Sequence, residues 1–219
     1  MKPVLSQLET QRLIALAAAL WGVIFVLSLV TGVSAQWLEH VREPEVYAAA
    51  LREHNLVFRW HLGLDLVFLA AYVTGNIALV QLLAQRAGVS WFHTLLLMFG
   101  TAAGVLDLIE DHRLLAALSA AAQGVFPTLA QLVEQQQLSQ LKWMVGHLAL
   151  VWLGIVLPAR TWYDRLFKFA LIVVQLVVGV AVFAVADDAW RNELIRSRAL
   201  NLGFGFAYLA WYVGRMPKE

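Results

Sequence analysis

The sequence predicts an all-α integral membrane helical bundle of six transmembrane helices, with the N and C termini on the same side. Three observations carry this expectation. The 219 residues are 61% hydrophobic and 14% charged, where a soluble domain has roughly 45–50% apolar and 25% charged residues. Mean hydropathy is +0.69. Apolar runs approaching the roughly 20 residues that cross a bilayer recur along the whole chain, so residues 1–219 read as a single transmembrane domain.

The first span is expected over about 13–35. Val33-Ser34-Ala35 resembles a small-residue cleavage site, but the apolar stretch from Leu13 exceeds a secretory core of about 7–15 residues. It reads as a true first helix. Residues 36–54 form a long connection, in which Glu43-Pro44-Glu45 is a helix start, with proline in the first turn and acids at the positive dipole end. A short surface helix is expected over 46–52. The second and third spans follow over about 56–83 and 91–118. Residues 119–137 form another long connection, interrupted by Gly124 and Pro127, and Thr128 is placed to cap a short amphipathic helix ending in Gln135-Gln136-Gln137. The fourth span, about 141–157, is closed by Pro158, and the fifth and sixth cover about 166–186 and 200–213. Prolines 3, 44, 127, 158 and 217 all lie outside span interiors, so proline-broken transporter helices are not signalled. Gly100 and Gly104 read as points of close helix packing.

Long loops thus fall on one face and short loops on the other. Of the 16 lysines and arginines, eight accompany the termini and eight lie opposite. Assigning Arg59, Arg113 and Lys142 to a buried acidic cluster leaves five, which places the termini in the cytoplasm; the expected location is a bacterial inner membrane. A net charge of +1 without a basic stripe excludes nucleic acid as a partner. Absence of cysteine removes disulfides, thiol chemistry and iron–sulfur clusters. Membrane lipids are the expected partners, and a homo-oligomer or a membrane complex stays open.

Ionisable residues inside the spans are the informative feature, because each costs about 2.5–3.5 kcal/mol at a helix centre on insertion scales. His61 and Asp65 lie about 8 and 14 Å into the second span, and Asp107 and Glu110 about 12–16 Å from the exit of the third. Lys142 and His147 lie about 6 and 14 Å into the fourth. These depths agree within two turns. His61 and Asp65 share a face, as do Asp107, Glu110 and Asp111, while His112 departs by about 100°. Tyr72 continues the Asp65 stripe. Three chemistries compete. Lys142 and Arg113 can neutralise the acids as an ion-pair lock. Crowded carboxylates beside a histidine can form an acid–base site. The cluster can also serve a proton path or bind substrate without chemistry.

His61, Asp65, Asp107 and Asp111 also offer nitrogen and oxygen ligands for a divalent metal such as zinc, manganese or iron. Haem is not expected, since His61 and His147 are the one deep histidine pair and carboxylates do not suit an apolar haem slot. Asp187-Asp188 with Arg191, Arg196 and Arg198 reads as a solvated loop. His40 and His54 read as loop residues and His93 as interfacial.

Four segments carry a resemblance: Glu43-Pro44-Glu45-Val46-Tyr47 before the second span, Asp65 with Phe68 and Tyr72, Asp107-Leu108-Ile109-Glu110-Asp111, and Lys142-Trp143. The layout over about 40–157 resembles a group of bacterial multi-spanning membrane proteins with an Asp-x-x-Glu-Asn motif in the third span and Lys-Trp opening the fourth. This chain has Asp111 where that motif has asparagine, which adds negative charge. The resemblance implies that the acids and the lysine act as one unit, and it implies no reaction.

The resulting expectation is a membrane-embedded enzyme, open to the outer leaflet, acting on a lipid or isoprenoid-like substrate. Glu110 or Asp107 would be the acid, His61 oriented by Asp65 the base, and Lys142 the holder of developing charge or a phosphate. Tyr72, Asp111, Arg113 and His147 would contact substrate or support these groups. The alternative is a proton-coupled transporter, or a non-catalytic subunit in which the charges are a structural lock.

Overall fold

The computed structural model describes residues 5–185 and 187–217, without the side chain of Asp188. Lys2 and Lys218 of the charge count and the Asp188 side chain therefore lie outside the described residues. The fold is all-α, with no strand among the described residues. Its helices are α1 (Gln7–Thr31), α2 (Pro44–Glu53), α3 (Asn55–Ala87), α4 (Trp91–Ala121), α5 (Leu129–Val156), α6 (Trp162–Phe169), α7 (Gln175–Ala184) and α8 (Asp188–Gly214). A 3-10 turn (Ala35–Glu39) follows α1, and a π turn (Ala170–Val174) joins α6 to α7.

Among the described residues, five helices are long and apolar enough to cross a membrane: Gln7–Thr31, Asn55–Ala87, Trp91–Ala121, Leu129–Val156 and Trp162–Ala184. α8 is a continuous helix through the expected sixth span, but its first half carries Arg191, Glu193, Arg196 and Arg198.

Capping residues set several boundaries. Ser6 and Glu9 form a capping box that starts α1 earlier than the apolar run suggests, and Gly32, with φ +69°, ends it. Thr128, the predicted cap, forms another with Gln131. The helix it opens does not stop at the glutamines. It runs unbroken into the fourth span, because the residues between offer no helix breaker. The connection expected over 119–137 shrinks accordingly to 122–128. α2 starts at Pro44 as expected, yet it is no free surface helix: Tyr47, Ala48 and Leu51 are buried.

The helices pack as a ring in the order α1, α3, α4, α5, α7, α8, closing back on α1. Glycines permit the closest approaches. A Cβ at Gly100 would overlap the Asn76 amide, and one at Gly104 would overlap Val73. One end of the ring is sealed by an apolar cluster that includes Ile14, Leu79, Leu96, Leu153, Leu209 and Val213. A second cluster, with Leu38, Tyr47, Phe58, Leu62, Leu114 and Leu132, holds the 3-10 turn and α2 against α3, α4 and α5 at the opposite end.

Candidate active site

A cavity of about 640 Å³ occupies the centre of the ring. Gln36, Trp37 and His54 line it at the 3-10 turn end, and Leu79, Leu96, Leu153 and Leu209 line it toward the sealed end. His61, Asp65, Tyr72, Asp107, Glu110, Asp111, Lys142 and His147 all line it. The three consecutive spans do bring their ionisable groups to one chamber.

Lys142 is the hub. Its Nζ lies 3.1 Å from Asp107 Oδ1 and 3.2 Å from Glu39 Oε1, and it donates to Glu110 Oε2. Glu110 Oε1 accepts from the Ser139 hydroxyl and, at 3.1 Å, from Gln135 Nε2. Gln135, Ser139 and Lys142 recur at helical spacing and form one polar stripe on α5 facing α4. Asp65, Asp107 and Asp111 form the neighbouring group, with one carboxylate oxygen from each within 4.8 Å of the others. Asp111 is 2% exposed, and its Oδ2 has no hydrogen-bond partner among the described residues. The Tyr72 hydroxyl faces the Asp107 carboxylate.

Two members of the cluster come from outside the expected spans. Glu39, on the 3-10 turn, turns inward and joins Lys142; its Oε2 accepts from Trp143 Nε1 at 2.8 Å and from Arg198 Nη2 at 3.3 Å. Arg198 is 0% exposed, and its guanidinium lies 3.5 Å from the centroid of the Trp143 ring. This corrects the solvated-loop reading of Arg198. The sequence held a signal: Arg198 falls on the same helical stripe as Ile195, Leu202, Phe206 and Leu209. Burial works to raise the Glu39 pKa, but Lys142 and Arg198 together hold it below the usual carboxylate range. His40 is also buried rather than in an open loop. Burial first, aided by Arg198, Arg191 and Arg42 against Glu39, depresses its pKa to about 4. Tyr47, whose hydroxyl donates to Leu38 O, is pushed up by burial and by Glu110.

Other expectations need correction. His61 is not oriented by Asp65. Its Nδ1 lies 2.9 Å from Val57 O and its Nε2 lies 2.9 Å from Ser28 Oγ. A carbonyl only accepts, so Nδ1 carries a proton; in the neutral ring Nε2 is then an acceptor, and it shares the single Ser28 hydroxyl hydrogen with Ile24 O, 3.0 Å from the same oxygen. With both nitrogens engaged, His61 also drops out of the expected metal-ligand set. Arg113 is outside the site: it is half-exposed and 4.0 Å from Glu134 on α5. Arg59 is likewise spent elsewhere, on Asn55 at 2.8 Å and Ser119 at 3.0 Å. His93 is buried, with Nδ1 bonded to Ser90 in a capping box. Lys142 and His147, five residues apart, both line the cavity; the His147 ring lies 5.9 Å from that of Trp143, and neither of its nitrogens has a hydrogen-bond partner among the described residues.

Five carboxylates (Glu39, Asp65, Asp107, Glu110, Asp111) thus face two buried cations (Lys142, Arg198); Arg196 also lines the cavity, but it is exposed and paired with Glu193 at 2.6 Å. Such a surplus in a low-dielectric interior requires further positive charge, as bound protons or a bound cation.

No family model, no curated protein and no solved structure matches the chain.

Proposed function

We propose that the protein is a membrane-embedded enzyme that takes an amphipathic lipid or isoprenoid-like substrate from the outer leaflet and transforms it by acid–base chemistry. One observation carries this reading: the cavity is charged near the 3-10 turn and apolar at its sealed end. A volume of about 640 Å³ suits one amphipathic ligand, since ligand pockets run from about 300 to 1,000 Å³. The polar end then receives a head group, and the leucine-lined end receives hydrocarbon. The apolar floor argues against a transport path, which would need polar groups through to the other face.

The roles follow from the contacts. Lys142, fixed by Glu39, Asp107 and Glu110, is the preorganised positive charge for an anionic head group or a developing oxyanion. His61 Nε2 is the base, and Ser28 is the hydroxyl in its reach. The electrophilic half is the Asp65, Asp107 and Asp111 trio with the positive charge it must hold. Glu110 and Asp107 are both tied to Lys142, so the acid role falls on Asp65 and Asp111. Hydrolysis and isomerisation both use this arrangement. In this reading α8 is the sixth span. Lys142 and Arg198 are spent on buried carboxylates on one face and Arg215 on the buried Asp164 on the other, which leaves six cations against seven beside the termini and favours cytoplasmic termini.

A second reading draws on the same hub. A lysine shared by three carboxylates is also what a purely structural lock in a membrane subunit would contain. Turnover separates the two. The purified chain is placed in bilayers containing glycerophospholipids and polyprenyl phosphates, and the lipids are followed by mass spectrometry. The enzyme reading expects conversion that is lost in His61→Gln while the variant stays folded. Absence of any lipid change with the folded native chain favours the lock.

A further inference from the structure

We propose that Asp65, Asp107 and Asp111 hold a divalent cation of the hard, oxygen-seeking class (magnesium, manganese or calcium), and that this ion and Lys142 together grip a phosphate group. The first half stands on the aspartates alone; the second rests on the enzyme reading above.

The geometry comes first. Three oxygens within 4.8 Å of one another lie no more than about 2.8 Å from a common centre, where calcium needs 2.3–2.6 Å and magnesium 2.0–2.1 Å. Small side-chain rotations close that gap. Asp107 and Asp111 are four residues apart on one face of α4, and Asp65 meets them from α3. The second observation is independent of the grouping. Asp111 is 2% exposed, yet its Oδ2 has no hydrogen-bond partner among the described residues. A buried carboxylate oxygen without a partner is costly, and a ligand is the direct way to satisfy it.

The two buried cations of the cluster are engaged elsewhere. Lys142 pairs with Glu39, Asp107 and Glu110, and Arg198 pairs with Glu39. None of the described ion pairs reaches Asp65 or Asp111.

The donor set selects the metal class. It is all carboxylate oxygen, because both nitrogens of His61 are committed to Ser28 and Val57. Oxygen-only sites suit magnesium, calcium and manganese, whereas zinc sites draw on histidine or cysteine. Three carboxylates leave about three positions of an octahedral ion for water or substrate oxygens. The cavity borders all three aspartates. Lys142 Nζ, 3.1 Å from Asp107 Oδ1, stands beside those positions. A divalent ion next to an ammonium is a recognised arrangement for phosphate oxygens.

The test uses the full chain, stripped with chelator and placed in phosphatidylcholine nanodiscs. Mn²⁺ is titrated and free Mn²⁺ is read by electron paramagnetic resonance. One bound Mn²⁺ per chain, displaced by Mg²⁺ or Ca²⁺, is expected. Asp65→Asn and Asp111→Asn should weaken it by at least ~10-fold, and His112→Asn, one residue on but exposed, should leave it unchanged. Should the aspartate variants not fold, saturable Mn²⁺ stabilisation of the native chain against heat is the substitute readout. No binding to the native chain up to about 1 mM Mn²⁺, or undiminished binding in folded Asp111→Asn, overturns the cation. Phosphatidic acid in the disc or inorganic phosphate in solution should then tighten Mn²⁺ binding, and which of them does so identifies the source of the phosphate. If neither does, the phosphate half is wrong. Lipid turnover without Mn²⁺ binding would sink the cation and spare the enzyme reading; Mn²⁺ binding without turnover of any lipid would do the reverse.

Discussion

Replacing Lys142 by methionine is the most informative single change. The side chain is 8% exposed, and its amine contacts Asp107 at 3.1 Å, Glu39 at 3.2 Å and Glu110 directly. Methionine keeps most of the volume and removes the charge. Arg198 then remains as the one buried cation of the group, and Glu39 is the one carboxylate it pairs with among the described residues. Removing one partner of a buried ion pair costs about 3–5 kcal/mol, because the remaining charges are left uncompensated. The three carboxylates recover part of this by binding protons, so a net loss near 3 kcal/mol is expected at neutral pH. At roughly 2–4 °C per kcal/mol for a chain of this size, the Tm should fall by about 6–12 °C. The assay is thermal unfolding of the purified protein in detergent, followed by circular dichroism. Adding Glu110→Gln to Lys142→Met should restore about 1–2 kcal/mol, because it removes one stranded charge. A Lys142→Met protein that melts within about 1 kcal/mol of the native chain, or a double variant weaker than both singles combined, would refute the hub.

Three further outcomes are expected. Gly100→Ala and Gly179→Ala should each destabilise by about 1–3 kcal/mol in the same melt, since the added methyl overlaps the Asn76 amide in one case and the His147 ring in the other; Gly205→Ala, where nothing lies within 4 Å of the new atom, is the control. His40 is held neutral with a pKa of about 4, below the roughly 6.5 of the unfolded chain. Its contribution is therefore intact above pH 6.5 and is lost as the pH falls toward 4, and Tm plotted against pH should decline less steeply for His40→Gln than for the native chain over that window. Ser28→Ala should leave the fold intact and lower kcat for lipid conversion more than it changes KM, whereas equal kcat in the two proteins would remove Ser28 and His61 Nε2 from the reaction.

The helical class, the helix starts at Pro44 and at the Thr128 cap, and the convergence of Asp65, Asp107, Glu110, Asp111 and Lys142 were all legible in the sequence, because each rests on local rules: apolar length, first-turn and cap chemistry, and helical spacing. Glu39 was not legible. It lies on a short turn whose inward rotation is set by Leu38 packing against the end of α3, α4 and α5, a tertiary effect with no periodic trace. Arg198 was read as solvated because other charges surround it in sequence, although its place on the apolar stripe of α8 gave the opposite hint. His61 illustrates a further limit. Spacing put it on the Asp65 face, but the Val57 carbonyl below it and Ser28 on another helix decided where its nitrogens point. Arg113 failed for the same reason in reverse: next to two buried acids in sequence, it turns to Glu134 at the rim.

The absence of cysteine makes the central claim directly measurable. Asp65→Cys and Asp111→Cys, introduced together and treated with a short bifunctional thiol reagent in native membranes, should yield the cross-linked α3–α4 peptide pair by mass spectrometry. Asp65→Cys with His112→Cys should not, since His112 is exposed on another face of α4. Efficient bridging to position 112 and none to position 111 would mean that the carboxylates of the two helices do not share a pocket, and the account would fail with them.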